Sequence, residues 1–214
     1  MTKKITVLTV LALCFAGGVS SAKAGTVAMR SSKEIALSNF PYEKGAFEFQ
    51  ALAGGFADLG IFSNQPRLDY ALQSLRIGYM VTDPVFEGWC RGNFEFLLEA
   101  SGGEFFSGPA TYLVAGGIIL RWNFVQHPGQ KLVPYVQIGG AAVYHDADTS
   151  AQFLLGGNIE AFLQGGVGLR YHFNDNWALA VEAGYRHISN ASTTQHNLGL
   201  NSVGGQIGFS YFFR

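Results

Sequence analysis

Eight segments of this chain alternate apolar and polar side chains, and in most of them the apolar set is large and aromatic. Successive side chains of a strand point to opposite faces, so such a segment has one greasy side and one polar side. One side collects Phe47 and Phe49, Leu75 and Ile77, Phe94 and Phe96, Ile118 and Leu120, Val136 and Ile138, Val167 and Leu169, and Ile207 and Phe209. The other collects Glu48, Gln50, Arg76, Glu95, Glu99, Arg121, Gln137, Gln164, Arg170, His172, Glu182, Arg186, Gln206 and Ser210. A soluble barrel would enclose the apolar side. Here four acids and four arginines, all on the polar side, would pair in a lumen just wide enough for side chains. The apolar side must then face lipid. The expected fold is all-β, an eight-stranded antiparallel transmembrane β-barrel.

The segments run over 46–54, 68–81, 92–101, 110–124, 131–144, 161–173, 177–189 and 202–213. Most reach the ~9–11 residues that a tilted membrane strand requires. Turns near 81–91, 125–130 and 174–176 carry turn formers such as Asp83-Pro84, Pro128-Gly129 and Asn174-Asp175-Asn176. Connections near 55–67, 102–109, 145–160 and 190–201 are mostly longer and richer in Ser, Thr, Asn, Gly and Asp. Turns on one side and loops on the other match periplasmic turns and surface loops, with both termini periplasmic. Trp122, Phe124, Tyr171, Phe173 and Trp177 fall at the turn ends and read as an interfacial aromatic girdle. Residues 68–73 break the alternation, which predicts a bulge or an early strand end there.

Residues 1–24 read as a secretory signal: Lys3 and Lys4, an apolar stretch from Ile5 to Ala16, then Ala22-Lys23-Ala24 as a cleavage site. Residues 25–214 form the barrel domain. No later apolar run approaches the ~20 residues of a spanning helix. Cys14 leaves with the signal, so the mature chain keeps only Cys90. That excludes an internal disulfide and a zinc site built on paired cysteines. The net charge of −1 gives no footprint for nucleic acid. The glycines stand in no strand–turn–helix context, so nucleotide binding is unsupported.

The chemistry lies at the end of the seventh segment, Trp177-Ala-Leu-Ala-Val-Glu-Ala-Gly-Tyr-Arg-His-Ile-Ser189. His187 and Ser189 continue its apolar face, while Glu182 and Arg186 lie on the opposite one. Asn201 opens the eighth segment with the same outward parity, within reach of the imidazole across an antiparallel pair. Seryl ester chemistry needs a hydroxyl, a base, a group that fixes the imidazole tautomer, and donors for the oxyanion. Ser189, His187 and Asn201 fill the first three roles. Asn190, Asn197 and loop N–H groups are available for the fourth. Glu160 and Glu182 have lumen parity, and Asp175 sits in a turn at the far end.

The segment His187-Ile-Ser-Asn-Ala191, followed by Asn197-Leu-Gly-Leu-Asn201, resembles the lipid A 3-O-deacylases of Gram-negative outer membranes. The resemblance implies His187 as base, Ser189 as nucleophile and Asn197 as an oxyanion-hole donor. It implies hydrolysis of the 3-O-linked hydroxyacyl chain of lipid A, with no metal or organic cofactor. The family's pattern has Glu where this chain has Asn201. An amide oxygen can orient the imidazole but cannot stabilise imidazolium by charge, which implies a slower enzyme. An ester just below the sugar–water boundary of the outer leaflet would lie beside a lipid-facing Ser–His pair at that height.

Other groups carry blander readings. Glu182 and Arg186 read as lumen ion-pair partners, and His172 as structural. His145, Asp146 and Asp148 read as a solvated loop rather than a cation site, and Cys90 as a passive turn residue. His196 lies in the loop beside the motif, near where a substrate phosphate would be. The partners implied are lipopolysaccharide and the outer membrane, and a homodimer is compatible with the sequence. The rival function is a non-enzymatic barrel, structural or adhesive, working through its loops.

Overall fold

A computed structural model describes residues 41–191, 193–194 and 197–214. The signal segment 1–24 and His196 lie outside the described residues. Eight strands follow in chain order: β1 (Phe47–Asp58), β2 (Tyr70–Met80), β3 (Gly92–Phe105), β4 (Tyr112–Phe124), β5 (Leu132–His145), β6 (Ile159–His172), β7 (Trp177–Ser189) and β8 (Leu200–Phe213). Each pairs with the next in antiparallel register, and β1 closes on β8. Closure leaves no strand edge unpaired, the condition for crossing a bilayer with strands. No helix among the described residues is long and apolar enough to cross a membrane.

The alternation sorts the side chains as expected. Leu98, Val167 and Ile207 project from the outer wall and are 56%, 57% and 55% exposed. A continuous apolar wall of this kind, running round every strand, is what lipid covers. Inside, Glu48, Glu95, Arg76, Arg121 and Arg170 are buried. Arg121 bonds Glu48 at 3.0 Å and Glu182 at 3.2 Å, and Arg76 bonds Glu99 and Glu182, each at 2.6 Å. Arg170 bridges Glu48 and Glu95. The guanidinium groups of Arg121 and Arg170 lie 4.4 and 4.6 Å from the centre of the Tyr135 ring. That ring occupies the space where a Cβ on residue 168 would be, so the position admits only Gly.

The lumen is layered rather than polar throughout. At the loop end Phe56, Leu68, Tyr70, Leu72, Phe105, Leu113, Phe162 and Ile188 belong to an apolar cluster. At the turn end Tyr42, Ala46, Met80, Val125, Val133, Ala178 and Phe212 form a second. The ionic layer lies between these caps and has little access to water. Tyr42 precedes β1 and closes the turn-end mouth, its hydroxyl 2.7 Å from His172 Nε2, which gives His172 its structural place.

Three sequence expectations are corrected. Of the bulge or early strand end expected over 68–73, the bulge is not found: β2 begins at Tyr70, two residues into the expected segment, and residues 70–80 alternate and pair in register with both neighbours. Tyr70 and Leu72 face inward because they build the loop-end cap, so apolar residues belong on the lumen side there. Arg186 makes no ion pair within 4 Å among the described residues. Its guanidinium lies 3.9 Å from the Phe56 ring centre and donates to Gln206 at 2.9 Å. Within the girdle, Trp122 is covered rather than bare: Phe86 and Phe94 pack against it.

Candidate active site on the outer wall

β7 carries its alternation to its last residue. Tyr185, His187 and Ser189 sit on the outer wall, while Arg186 and Ile188 are buried inside. The strand then stops in a turn, with Thr193 N–H donating to the Asn190 carbonyl at 3.1 Å and the Thr193 hydroxyl to the same oxygen at 2.8 Å. Ala191 follows Asn190 with φ of 52°, a left-handed conformation that costs a non-glycine residue about 1–2 kcal/mol. The loop leaving this turn docks on the preceding one through Leu198 N–H to the Phe153 carbonyl and Gly199 N–H to the Leu154 carbonyl.

β8 starts at Leu200, and its register sets Asn201 directly opposite His187. His187 Nδ1 lies 2.9 Å from Asn201 Oδ1. The Tyr185 hydroxyl also donates to Asn201 Oδ1, and Asn201 Nδ2 donates to the Gly199 carbonyl at 3.3 Å. With Nδ1 turned to Asn201 and protonated, Nε2 is the nitrogen left to accept a proton. Ser189 stands two residues further along the same face, roughly 6–7 Å by strand geometry. No hydrogen bond joins Ser189 to His187 among the described residues. In unliganded sites such bonds are often long and tighten only around substrate.

The imidazole is also packed from above. Gly199 has φ of +81°, and a Cβ there would come within 2.7 Å of His187 Cε1. Both the backbone conformation and the close approach call for glycine.

The two loop asparagines are placed differently from the other three residues. Asn190 is buried: its Nδ2 donates to Thr194 Oγ1 at 2.6 Å, and its own N–H donates to Asn197 Oδ1 at 3.0 Å. The structure therefore brings His187, Ser189 and Asn201 to one face and turns the Asn190 side chain to the interior. Asn197 clamps the turn through its amide oxygen. Glu160 is buried on the lumen side, accepting from Gly156 and Gly157 N–H at 2.7 and 3.1 Å. Asp146 Oδ1 accepts from Thr111 and Tyr112 N–H. The Ser150 hydroxyl and amide bond Asp148 and hold its carboxyl below the usual carboxylate range. Both aspartates fasten loops.

Sequence reasoning missed Tyr185 and the packing role of Gly199. Tyr185 has the parity of His187, a signal hidden because a tyrosine on a lipid-facing strand needs no special explanation.

A closed barrel with an apolar wall defines an outer-membrane protein, and this one gathers a Ser, a His and an Asn on that wall. The family model described as lipid A 3-O-deacylase (PagL) matches residues 76–210, from within β2 into β8, and spans all three residues. The chain belongs to the lipid A 3-O-deacylase family and to the outer membrane of a Gram-negative bacterium. Among solved structures it is similar to the Neisserial surface protein A, with TM-score 0.52 and 17% identity over 79% of this chain and 98% of that one. It is similar also to the outer membrane enzyme PagL, with TM-score 0.51 and 16% identity over 78% of this chain and 98% of that one. At such identities these two likenesses speak for the fold alone. Among curated proteins the chain has no match.

Proposed function

We propose that this protein hydrolyses the ester at the 3-position of lipid A by a serine mechanism, with Ser189 as nucleophile, His187 as general base and Asn201 as the group that orients the imidazole. The observation that carries this reading is the 2.9 Å contact of His187 Nδ1 with Asn201 Oδ1 on the lipid-facing wall. With the proton of the neutral imidazole on Nδ1, Nε2 is the nitrogen that can accept the Ser189 proton.

In the proposed reaction Ser189 Oγ attacks the ester carbonyl as His187 Nε2 takes its proton. The tetrahedral oxyanion forms beside the loop, where the Asn197 amide is the proposed side-chain donor. Asn190, turned inward, serves to hold the turn. Collapse expels the 3-hydroxyl of lipid A, which receives the proton from His187. Water activated by the same imidazole then cleaves the acyl-enzyme and releases a 3-hydroxy fatty acid. The substrate stays in its leaflet and meets the enzyme at the barrel wall. Four uncharged or titratable side chains suffice for these steps.

Mass spectrometry of lipid A from cells expressing the wild type and Ser189→Ala tests the reading. The expected result is loss of one hydroxyacyl mass in the wild type and its return in the variant. Identical lipid A in both would favour the rival, a barrel acting through its loops.

A further inference from the structure

From the hydrogen bonds around Asn201 we infer that Tyr185 is a positioning residue, whose phenol locks the Asn201 amide in the one orientation that keeps His187 able to act as a base. The inference rests on the proposed serine mechanism and deepens it.

An amide at this position has a weakness that a carboxylate lacks. A carboxylate presents acceptors in either orientation. An asparagine presents an acceptor in one orientation and a donor in the other. Were Asn201 to flip, Nδ2 would donate to His187 Nδ1, the imidazole would carry its proton on Nε2, and Ser189 would face a nitrogen unable to accept.

Two contacts oppose the flip. The Gly199 carbonyl, 3.3 Å from Nδ2, would meet a second carbonyl oxygen and gain only repulsion. The Tyr185 hydroxyl donates to Oδ1; after a flip its proton would lose that acceptor on a wall facing lipid, where water is scarce. Tyr185 stands one outward position from His187 along β7 and is paired with Val203, so it reaches Asn201 diagonally across the ladder. The amide is thus held at both ends, by a carbonyl on the nitrogen and a phenol on the oxygen.

Tyr185→Phe tests this, because it keeps the ring and its lipid contact and removes only the hydroxyl. Turnover of lipid A by the full mature barrel in detergent–phospholipid micelles should fall about tenfold, as expected for one orienting hydrogen bond, with KM nearly unchanged. In the Asn201→Glu background the same change should cost less than about threefold, since a carboxylate has no wrong orientation. The ring ¹⁵N shifts of His187 should show the Nδ1–H tautomer in the wild type and a mixture with Nε2–H in Tyr185→Phe. Equal losses in both backgrounds, or an unchanged tautomer in Tyr185→Phe, would overturn the assignment. A wild type without Ser189-dependent turnover would defeat the proposed function, and the ¹⁵N measurement would still decide the role of Tyr185.

Discussion

His187 and Asn201 are a directly opposed cross-strand pair of β7 and β8, and their side chains meet on the outside of the barrel at 2.9 Å. An interaction of this kind needs only register: once β7 and β8 pair, the residues cannot avoid each other. Its chemistry depends on what stands at 201. Asn201→Glu would keep the acceptor and add a charge that stabilises the imidazolium formed as Ser189 is deprotonated. Turnover of lipid A should rise at least about tenfold, well within the ~10⁴ that the reverse exchange costs a serine protease triad. Equal or lower turnover in a folded variant would reject charge as what limits this chain.

Gly199→Ala should damage the same site from the loop side. The new methyl would enter the space held by His187 Cε1, in a backbone conformation that already disfavours alanine. The imidazole must then shift away from Asn201 or the loop must move. We expect turnover to fall at least tenfold and stability to fall by about 1–2 kcal/mol, read from turnover assays and urea unfolding in lipid vesicles.

Most of the architecture was legible in the sequence because an eight-stranded barrel has one rule, period two, applied everywhere. Phe47 and Glu48, or Ile207 and Gln206, announce the two faces without any knowledge of contacts. The rule misled at Tyr70 and Leu72, where apolar residues face the lumen because the ionic layer is capped at the loop end. It gave the inward parity of Arg186 but not its partners: an ion pair was expected, whereas the side chain meets the Phe56 ring on β1 and Gln206 on the adjacent β8. The placement of His187, Ser189 and Asn201 on one wall was legible for the same reason as the fold. The inward turn of Asn190 was not, because it is set by loop hydrogen bonds to Asn197 and Thr194 that have no period.

Glu182 is the node of the ionic layer. Its Oε1 accepts from Arg76 at 2.6 Å, from Tyr135 at 2.8 Å and from Arg121 at 3.2 Å, and its Oε2 accepts from Gln137 at 3.0 Å. Glu182→Gln removes the charge shared by two buried guanidinium groups and leaves them undercompensated. The expected loss is about 3–5 kcal/mol, measured as a lowered urea midpoint. A variant that folds should still turn over lipid A, since this layer lies inside the barrel and the proposed site lies outside it.

Arg186 should respond in the opposite way, although it too is an arginine inside the barrel. It has no ion-pair partner within 4 Å among the described residues, and it borders the loop-end apolar cap through Phe56 and Phe162. Arg186→Met removes a desolvated charge, keeps a long flexible apolar stem against both rings, and strands no acid. Its stability should lie within about 1 kcal/mol of the wild type or above it. Arg76→Met, which abandons Glu99 and Glu182, should lose about 3–5 kcal/mol in the same unfolding assay. Equal losses for the two arginines would mean that Arg186 is held by charge, and that the layering of the lumen does not govern its energetics.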